Sequence, residues 1–208
     1  MGISILGAGN VGMALAGALI RAGESVVFGV PDPARYTDAV AKLGAKARVT
    51  DADEAIRLNE IVILAVPHAS ALDIAERVAD WQGKILVDAT NPLAPGLAGL
   101  TIGTTDSGAE DIARRARSAR VVKAFNTTGA ENMADARYAN GTLMMPVCGD
   151  DRAARTRVMD MAASIGFRPL DCGSLAAARY LEPFAMTWIH LAFKQGMGRN
   201  FGFALLER

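Results

Sequence analysis

The amino-acid sequence predicts an α/β fold, a doubly wound parallel sheet with a short helical C-terminal extension. Short apolar runs alternate with amphipathic stretches along residues 1–173, and this alternation is typical of parallel strands joined by crossover helices. The runs are apolar at successive positions, as strands covered by helices on both faces must be. After Gly173 the alternation ends. We expect residues 174–208 to form a helical segment that packs on the domain formed by residues 1–173 or on a partner subunit.

Seven strands are predicted where aliphatic and β-branched residues cluster between turn signals. Their spacing leaves room for a helix in most of the connections, as a parallel sheet requires. The predicted strands are Ile3–Leu6, Ser25–Phe28, Ile61–Val66, Lys84–Val87, Arg120–Ala124, Leu143–Cys148 and Phe167–Leu170.

Six helices are predicted between these strands, where apolar residues recur at helical spacing. Gly23, Gly44 and Gly166 follow three of them, at the position where a glycine commonly ends a helix. In the tail, Ser174–Gln195 predicts one long apolar helix and Gly198–Leu206 a short terminal one. The six helices are Val11–Ala22, Pro33–Leu43, Asp53–Leu58, Ala69–Asp80, Ala109–Ser118 and Arg152–Ile165.

Length and charge limit the functional classes. The 208 residues suit one domain with a small appendage, and 22 basic residues balance 22 acidic ones. This balance gives no basic surface for nucleic acid or an anionic membrane. The apolar runs are shorter than the roughly 20 residues of a membrane span. We therefore expect a cytoplasmic protein with no nucleic-acid or membrane partner, in which Cys148 and Cys172 are reduced, buried thiols.

A glycine-rich turn is the strongest functional signal. Gly7, Gly9 and Gly12 form G-x-G-x-x-G in the stretch ILGAGNVG, directly after a strand and before a helix. In a Rossmann-type domain, the first glycine permits the tight turn and the second lets a pyrophosphate approach the backbone. The third lets the helix lie close to the strand. The pyrophosphate then meets the free N–H groups at the helix N-terminus, so this turn predicts dinucleotide binding.

The end of the second strand, FGVPDPAR, contains both an acidic and a basic candidate for the adenosine ribose. An acidic residue here would bind the ribose hydroxyls of NAD, whereas a basic one would bind the 2′-phosphate of NADP. Asp32 follows Gly12 by twenty residues, and Arg35 comes three residues later. Asp32 also has the alternative role of capping a helix that starts at Pro33. The residues alone leave NADP and NAD both open.

Three further strand ends bring small or polar groups to the same edge of the sheet, where a doubly wound fold binds its ligand. His68 is interpreted as a proton donor, a stacking wall or a solvent-facing loop residue, and His190 as a hydrogen-bonded core residue. No cluster has metal-ligand spacing, so no metal site is predicted. The strand ends carry Pro67 and His68, then Ala89, Thr90, Asn91 and Pro92, and then Asn126, Thr127, Thr128 and Gly129.

The sequence resembles the F420-dependent NADP oxidoreductase family, whose relatives include the cytosolic domain of the STEAP metalloreductases. The resemblance runs nearly end to end. The glycine turn is generic, and the bacterial and STEAP-like branch is the more similar one because it shares the letters KAFNT. The more specific stretches are VVKAFNTTGAENM at 121–133, PVCGDD at 146–151, GFRPLDCGSLAAARYLEP at 166–183 and GMGRNFGFALLER at 196–208.

The resemblance implies a role for each matching position. Asn126 and Thr128 would contact the nicotinamide or its carboxamide, and a deazaflavin (coenzyme F420) or flavin ring would lie over the nicotinamide. Val30 and Pro31 stand where the family commonly has Ser-Arg or Val-Arg, and Arg35 matches a later basic position. The pyrophosphate would be held by Gly7, Ala8, Gly9, Asn10 and Val11, and the nicotinamide side would be lined by Val66, Pro67 and Ala89.

These positions predict hydride transfer between NADP (or NAD) and coenzyme F420 or a flavin. Such a reaction needs two stacked rings held in place more than it needs an acid or a base, which fits a loop of Asn, Thr and Gly. A β-hydroxyacid or imine reductase is the alternative enzyme. Its expected lysine would be Lys194, but Gly198 replaces the asparagine expected four residues later. A non-catalytic NAD(P) sensor is the third hypothesis, and a homodimer is expected in each case.

Overall fold

The computed structural model describes residues 2–208. Its centre is an eight-stranded sheet in the order β10-β9-β6-β5-β4-β1-β2-β3. Six of these strands, β3-β2-β1-β4-β5-β6, are parallel neighbours. The sheet strands are β1 (Gly2–Leu6), β2 (Ser25–Gly29), β3 (Ala47–Thr50), β4 (Ile61–Leu64), β5 (Ile85–Asp88), β6 (Arg120–Lys123), β9 (Met144–Gly149) and β10 (Arg168–Asp171). The predicted doubly wound α/β sheet is confirmed.

Helices follow most of the strands, and all six predicted helices are present with shifted ends. A 3₁₀ turn at Pro33–Tyr36 precedes α2, and others lie at Pro95–Leu97 and Leu175–Ala177. The α-helices are α1 (Asn10–Arg21), α2 (Thr37–Ala41), α3 (Ala52–Leu58), α4 (His68–Arg77), α5 (Gly108–Arg115), α6 (Ala130–Ala134), α7 (Arg152–Ser164) and α8 (Ala178–Ile189).

The sheet is mixed, whereas the sequence predicted a parallel one. β9 runs antiparallel to β6, with Val122 opposite Gly149 and Lys123 opposite Cys148. β10 then pairs in parallel with β9. A parallel return needs a crossover connection, usually a helix. The helix that follows β6 is α6, whose five residues span only about 7 Å. The chain therefore enters β9 from the same edge at which it left β6.

Three short strands lie outside the prediction. β3 is an edge strand with partly exposed residues, so it lacks the apolar run by which the other strands are recognised. β7 (Arg137–Tyr138) and β8 (Gly141–Thr142) form a small antiparallel hairpin between α6 and β9. Two-residue strands are too short for any periodicity to mark them in the sequence.

Both faces of the sheet are covered by apolar side chains, as predicted for strands between helix layers. One buried cluster joins α1 and α7 to the sheet, and the other joins α3, α4, α5 and α8 to the opposite face. Representative residues are Ile5, Leu15, Phe28, Val122 and Val158 in the first cluster, and Leu64, Trp81, Leu86, Ile112 and Leu181 in the second.

The C-terminal segment begins as predicted with a long helix. α8 passes into a π-helical turn at His190–Lys194. The predicted terminal helix at Gly198–Leu206 is wrong, because these residues form an irregular strap along the edge of the molecule. The Phe203 carbonyl accepts a hydrogen bond from the Met144 N–H at 2.9 Å, and that of Leu205 accepts one from the Arg168 guanidinium at 2.9 Å. Bonding to the start of β9 and to β10 replaces the helical hydrogen bonds.

Candidate functional site

Four loops meet at the carboxyl edge of the sheet, where β1, β4, β5 and β6 end side by side. They are the loop of the glycine motif and the loops at residues 65–67, 89–91 and 124–129. A doubly wound sheet binds ligands at this edge. The topology therefore brings together the strand-end candidates that the sequence singled out.

The glycine turn has the packing predicted for its first and third glycines. Gly7 has φ 107°, and a Cβ there would lie 2.5 Å from the carbonyl oxygen of Ala65. A Cβ on Gly12 would overlap the carbonyl oxygen of Gly7. Gly9 differs, because a Cβ there would have no neighbour within 4 Å in the described part of the chain. The space above Gly9 is open, as the approach of a pyrophosphate requires.

The N-terminus of α1 is chemically free to receive an anion. Its N-cap residue is Gly9, which has no side chain that could cap the helix, and the first turn contains no acidic residue. The first N–H groups of a helix lack intrahelical partners, and the helix dipole adds partial positive charge there. The exposed Gly9 and Asn10 and the half-buried Ala8 and Val11 surround this end. These residues therefore fit the diphosphate of a dinucleotide.

Asp32 and Arg35 both lie exposed just beyond β2. The Asp32 carboxylate accepts a long 3.4 Å hydrogen bond from the Arg35 N–H, so it caps the 3₁₀ turn as one sequence interpretation held. The Arg35 guanidinium lies 5.7 Å from the centre of the Tyr36 ring. The same turn therefore presents a carboxylate and a guanidinium to solvent beside the glycine loop.

Val66, Pro67 and Ala89 form the walls between the glycine loop and the β6 loop. Val66 lies against Gly7, where its Cγ1 would be 2.8 Å from an added Cβ. Val66 and Ala89 are half-buried and Pro67 is exposed. These three residues provide small, apolar surfaces against which a flat ring can pack.

Asn126 is the polar centre of the site. Its amide nitrogen donates to Asn91 Oδ1 at 3.0 Å and to the Leu181 carbonyl at 3.3 Å, while the Asn91 amide donates to the Asn126 carbonyl at 2.9 Å. The buried Oδ1 of Asn126 has no hydrogen-bond partner within residues 2–208. An unpaired buried acceptor is costly, so this atom is suited to receive a donor from a ligand.

Backbone strain precedes this asparagine. Phe125 has φ 62°, in the left-handed region that bulky residues rarely adopt. Its ring is buried and lies 6.4 Å from that of Phe167, edge to face. This packing holds the chain in the bend between β6 and the Asn126 loop. Strained conformations of this kind cluster at ligand sites.

Thr128 is half-buried two residues further along the loop. Its hydroxyl oxygen accepts a 2.7 Å hydrogen bond from the amide of Asn132, in the first turn of α6. The oxygen has accepted one bond, and its own hydrogen stays available for donation. Asn126 and Thr128 thus supply one unpaired acceptor and one available donor from neighbouring positions.

One interpretation of the sequence placed His68 in a loop facing solvent, and the structure corrects it. His68 starts α4 and is half-buried, with Nδ1 3.2 Å from the Thr90 hydroxyl and Nε2 buried without a partner among the described residues. Its ring packs against Gly108, where an added Cβ would lie 2.7 Å from Cε1. Burial lowers the pKa of His68 from its ordinary 6.5, against an opposing effect of Asp88.

A buried charge cluster beneath the loops was missed by the sequence reasoning. Lys123, at the end of β6, is fully buried and its ammonium lies 2.8 Å from Asp88 and 2.7 Å from Glu182. It also donates to the Thr90 carbonyl at 2.7 Å. Burial favours the neutral amine, but the two carboxylates prevail and raise the pKa of Lys123. The letters KAFNT at 123–127, on which the resemblance to the STEAP-like branch rests, were the signal that could have drawn attention to this lysine.

Glu182 connects this cluster to two helices. It lies in α8, and its carboxylate accepts hydrogen bonds from the backbone N–H groups of Gly108 and Ala109, at 2.9 and 3.1 Å. Those groups are the free donors at the start of α5. One carboxylate therefore neutralises Lys123 and caps α5. Together with the Asp88 carboxylate, which accepts from the Thr90 N–H at 2.8 Å, it fixes the floor of the site.

A mostly apolar cleft of about 470 Å³ opens beside His68 and Asn91. Pro67 and Leu72 form its α4 side, and residues 91–93 with 101–102 form the opposite side. The cleft adjoins the Asn91–Asn126 pair, so it offers space for a second ring next to the four-loop site.

Other sequence candidates lie away from this centre. His190 is exposed and Gln195 lies 3.1 Å from its Nε2, so its interpretation as a core residue is wrong. Lys194 is exposed and contacts the Gly96 carbonyl at 3.4 Å. Cys148 is buried, and burial raises the pKa of its thiol to about 12. Cys172 is half-buried, which corrects the expectation of two buried thiols.

Within residues 2–208, no group of three or more His, Cys, Asp or Glu side chains is placed to hold a metal ion. The same part of the chain contains no helix that combines the length and the apolar character needed to cross a membrane.

Comparisons with known proteins identify the relatives of this chain. The family model of coenzyme F420-dependent NADP oxidoreductases matches residues 2–92. The chain is 31% identical over 218 aligned residues to the F420-dependent NADP reductase of Methanothermobacter marburgensis, with 97% of this chain and 96% of that protein covered. It is 37% identical over 183 residues to metalloreductase STEAP3 of Rattus norvegicus. That match covers 86% of this chain and 35% of the metalloreductase, so the chain spans about a third of that relative's length.

A solved structure from Arthrobacter sp. FB24, whose proposed activity is F420-dependent NADP reduction, is 32% identical. It has a TM-score of 0.83 with 98% and 99% of the two chains covered. The fold and these relatives define an oxidoreductase that uses a nicotinamide dinucleotide. The chain belongs to the family of coenzyme F420-dependent NADP oxidoreductases.

Proposed function

We propose that this protein transfers a hydride between NADP(H) and the ring of coenzyme F420 or a flavin. The observation that carries the proposal is the buried Oδ1 of Asn126 at the carboxyl edge of the sheet, which is unpaired among the residues that the structure describes. Two relatives that align along nearly the whole chain bear the name F420-dependent NADP reductase or that proposed activity. The dinucleotide and the second ring supply the redox chemistry, and the residues of this chain bind and orient them.

Asn126 and Thr128 together complement a primary carboxamide. Asn126 Oδ1 would accept a hydrogen bond from the amide NH₂ of nicotinamide, and the Thr128 hydroxyl would donate to its carbonyl oxygen. Two opposite bonds of this kind fix the rotation of the ring. Neither side chain carries a charge, so orientation is obtained without an electrostatic effect on the nicotinamide. This pair gives the two predicted catalytic positions distinct tasks.

The rest of the dinucleotide follows the four strand ends. The open space at Gly9 and the uncapped start of α1 would take the pyrophosphate. Val66, Pro67 and Ala89 would flank the nicotinamide ring. The buried Lys123 cluster lies under this floor and holds the Thr90 backbone in place through two hydrogen bonds.

NADP is favoured by the basic Arg35, whose guanidinium would pair with the 2′-phosphate. The Asp32 carboxylate would repel the 2′-phosphate, although one of its oxygens accepts the hydrogen bond that caps the turn. Two relatives that align along nearly the whole chain are named, or proposed to be, NADP reductases. We therefore assign NADP as the preferred donor and NAD as the weaker one.

The cleft beside His68 is the space we assign to the acceptor ring. Its apolar surface suits a flat deazaflavin or flavin, and Asn91 connects it to Asn126 by hydrogen bonds. Hydride transfer needs the two carbon atoms about 3–3.5 Å apart, and such positioning can supply roughly 7–11 kcal/mol of the barrier. His68, favoured in its neutral form, would serve as a wall of the cleft.

The test is oxidation of NADPH and NADH by the purified protein, with coenzyme F420, FMN and FAD as parallel acceptors. We expect turnover with at least one acceptor and faster turnover with NADPH. Arg35→Ala should reduce the NADPH-to-NADH preference about tenfold, because one charge-assisted contact is worth roughly 1.5 kcal/mol. Tight NADPH binding without turnover on any acceptor would refute the enzymatic proposal and favour a sensor.

Asn126→Leu separates positioning from binding. A ring displaced by about 1 Å can cost 100-fold in rate, whereas the pyrophosphate contacts stay intact. Turnover should therefore fall by about two orders of magnitude while NADPH affinity weakens only a few-fold. Equal loss of both quantities, or no loss, would remove Asn126 from the assigned role.

A further inference from the structure

Asn132 is a buried side chain that makes none of the proposed contacts with the dinucleotide or the second ring. It lies in α6 and is 2% exposed. Its amide nitrogen donates to Thr128 Oγ1 at 2.7 Å and to the Phe201 carbonyl at 2.6 Å, and its Oδ1 accepts from the Tyr138 hydroxyl at 2.7 Å. Both hydrogens of the amide are therefore engaged, and so is its oxygen. Three segments of the chain meet at this one group.

The direction of each bond is fixed by the Phe201 carbonyl. A carbonyl oxygen only accepts, so the Asn132 atom facing it must be the NH₂ group. The same nitrogen contacts Thr128, which must then accept. The Tyr138 hydroxyl faces the remaining oxygen and must donate to it. Reversing the amide would place two acceptors against each other at Phe201.

We propose that Asn132 is a positioning residue that sets the Thr128 hydroxyl as a donor toward the bound nicotinamide. A hydroxyl has one hydrogen and can donate it to only one acceptor at a time. Because Asn132 occupies a lone pair of Thr128 Oγ1 and offers no acceptor there, the hydrogen points away from α6. It is then free for the carboxamide oxygen. This inference rests on the proposed function, since it assumes a nicotinamide at Asn126 and Thr128.

The C-terminal strap, residues 201–207, holds Asn132 in this orientation. The Phe201 carbonyl also accepts from the Trp188 indole N–H at 2.9 Å, and the two rings stack with centroids 5.4 Å apart. Arg199 forms a 3.1 Å ion pair with Glu131, next to Asn132 in α6. The orientation of a side chain in the binding loop thus depends on a segment about 70 residues away in sequence.

The experiment is a double-mutant cycle between Asn132→Asp and Thr128→Val, read as dissociation constants. Aspartate has the shape of asparagine, but an ionised carboxylate has no hydrogen to donate, and a protonated one would give its single hydrogen to the Phe201 carbonyl. In either state it accepts from Thr128, which would turn its hydrogen toward it. NADPH binding should weaken about fivefold to tenfold in Asn132→Asp, the size of one hydrogen bond. In the Thr128→Val background the same substitution should have no further effect. Affinity for 2′-phospho-ADP-ribose, which lacks nicotinamide, should be unchanged in all four proteins.

Asn140→Asp is the matched control, because Asn140 is exposed on the hairpin between β7 and β8. Circular dichroism checks folding, and if Asn132→Asp does not fold, Asn132→Ala replaces it with an expected threefold loss that also disappears beside Thr128→Val. An equal loss in both Thr128 backgrounds, or an equal loss for 2′-phospho-ADP-ribose, would overturn the inference. Failure of the proposed function is seen separately, in wild-type protein that binds NADPH but does not oxidise it with any of the acceptors.

Discussion

At the scale of single residues, His68 shows how burial decides a protonation state. Its ring is half-buried at the start of α4, close to the ammonium of Lys123 and the carboxylates of Asp88 and Glu182. Burial is the largest influence and lowers the pKa of His68 below 6.5, with Asp88 opposing it. The folded protein therefore favours neutral His68.

This lowered pKa predicts a pH dependence of stability. The unfolded state takes up the proton near pH 6.5, before the folded state does, so acidification favours unfolding. The free energy of unfolding should fall as the pH drops from about 6.5 to the lower pKa of the folded protein. His68→Asn keeps a polar group near Thr90 but cannot titrate. Urea unfolding at several pH values between 5 and 7.5 should give a steeper slope for wild type, and equal slopes would contradict the argument.

At the scale of elements, α6 and α8 meet at a glycine. Gly129 precedes α6 with φ −78°, which any residue can adopt. A Cβ there would lie 2.5 Å from Cη2 of Trp188, in α8. The glycine is therefore required by the close approach of the indole and not by the backbone. This contact brings the Thr128 loop against the C-terminal segment.

Gly129→Ala should destabilise the protein by about 1–3 kcal/mol, because an overpacked contact shifts the buried indole. Gly103→Ala is the matched control, since a Cβ on Gly103 would have no described residue within 4 Å. The measurement is urea unfolding followed by circular dichroism, with tryptophan fluorescence as the local probe. If Gly129→Ala lowers the free energy of unfolding no more than Gly103→Ala does, Trp188 moves aside at no energetic cost and the argument fails.

At the scale of the whole molecule, the C-terminal segment exposes large apolar side chains. Tyr180 is 77% exposed and Met197 is 58% exposed. The segment also packs on its own chain through Trp188 and Ile189. Whether residues 174–208 also contact a second subunit stays a prediction, as do the homodimer, the division at residue 173 and the cytoplasmic location.

Sedimentation analysis tests the homodimer. We expect a mass of twice 21.8 kDa at micromolar concentration, and a shift toward monomer in Tyr180→Lys, because a charge is costly in an apolar interface. Leu206→Lys is the control, because Leu206 is an apolar residue outside α8 that is 89% exposed. A monomeric wild-type protein would refute the dimer. Dissociation of both the Tyr180→Lys and the Leu206→Lys dimers would show that Tyr180 is not at the centre of the interface.

Local chemistry in the sequence determined much of this protein. The strand–glycine–helix start is recognisable because Gly7 needs a positive φ and Gly12 a close contact, requirements that no other residue meets. The strands between β1 and β6 were predictable, except for the partly exposed β3, because each is an apolar run. The four strand ends could be assigned to one edge because parallel strands share their direction. The stretch VVKAFNTTGAENM carried the resemblance to the family.

Only the tertiary structure decided the groups that meet from distant positions. Lys123 and Glu182 are 59 residues apart in sequence, and Asn132 and Phe201 are 69 apart. The strap at residues 201–207 is irregular where a helix was predicted, since its carbonyls accept hydrogen bonds from side chains of β10 and α6 and from the β9 backbone. The reversal of β9 likewise depends on how a short α6 packs. Periodicity reports the neighbours of a residue along the chain, whereas a buried charge or amide is defined by partners that folding alone brings into contact.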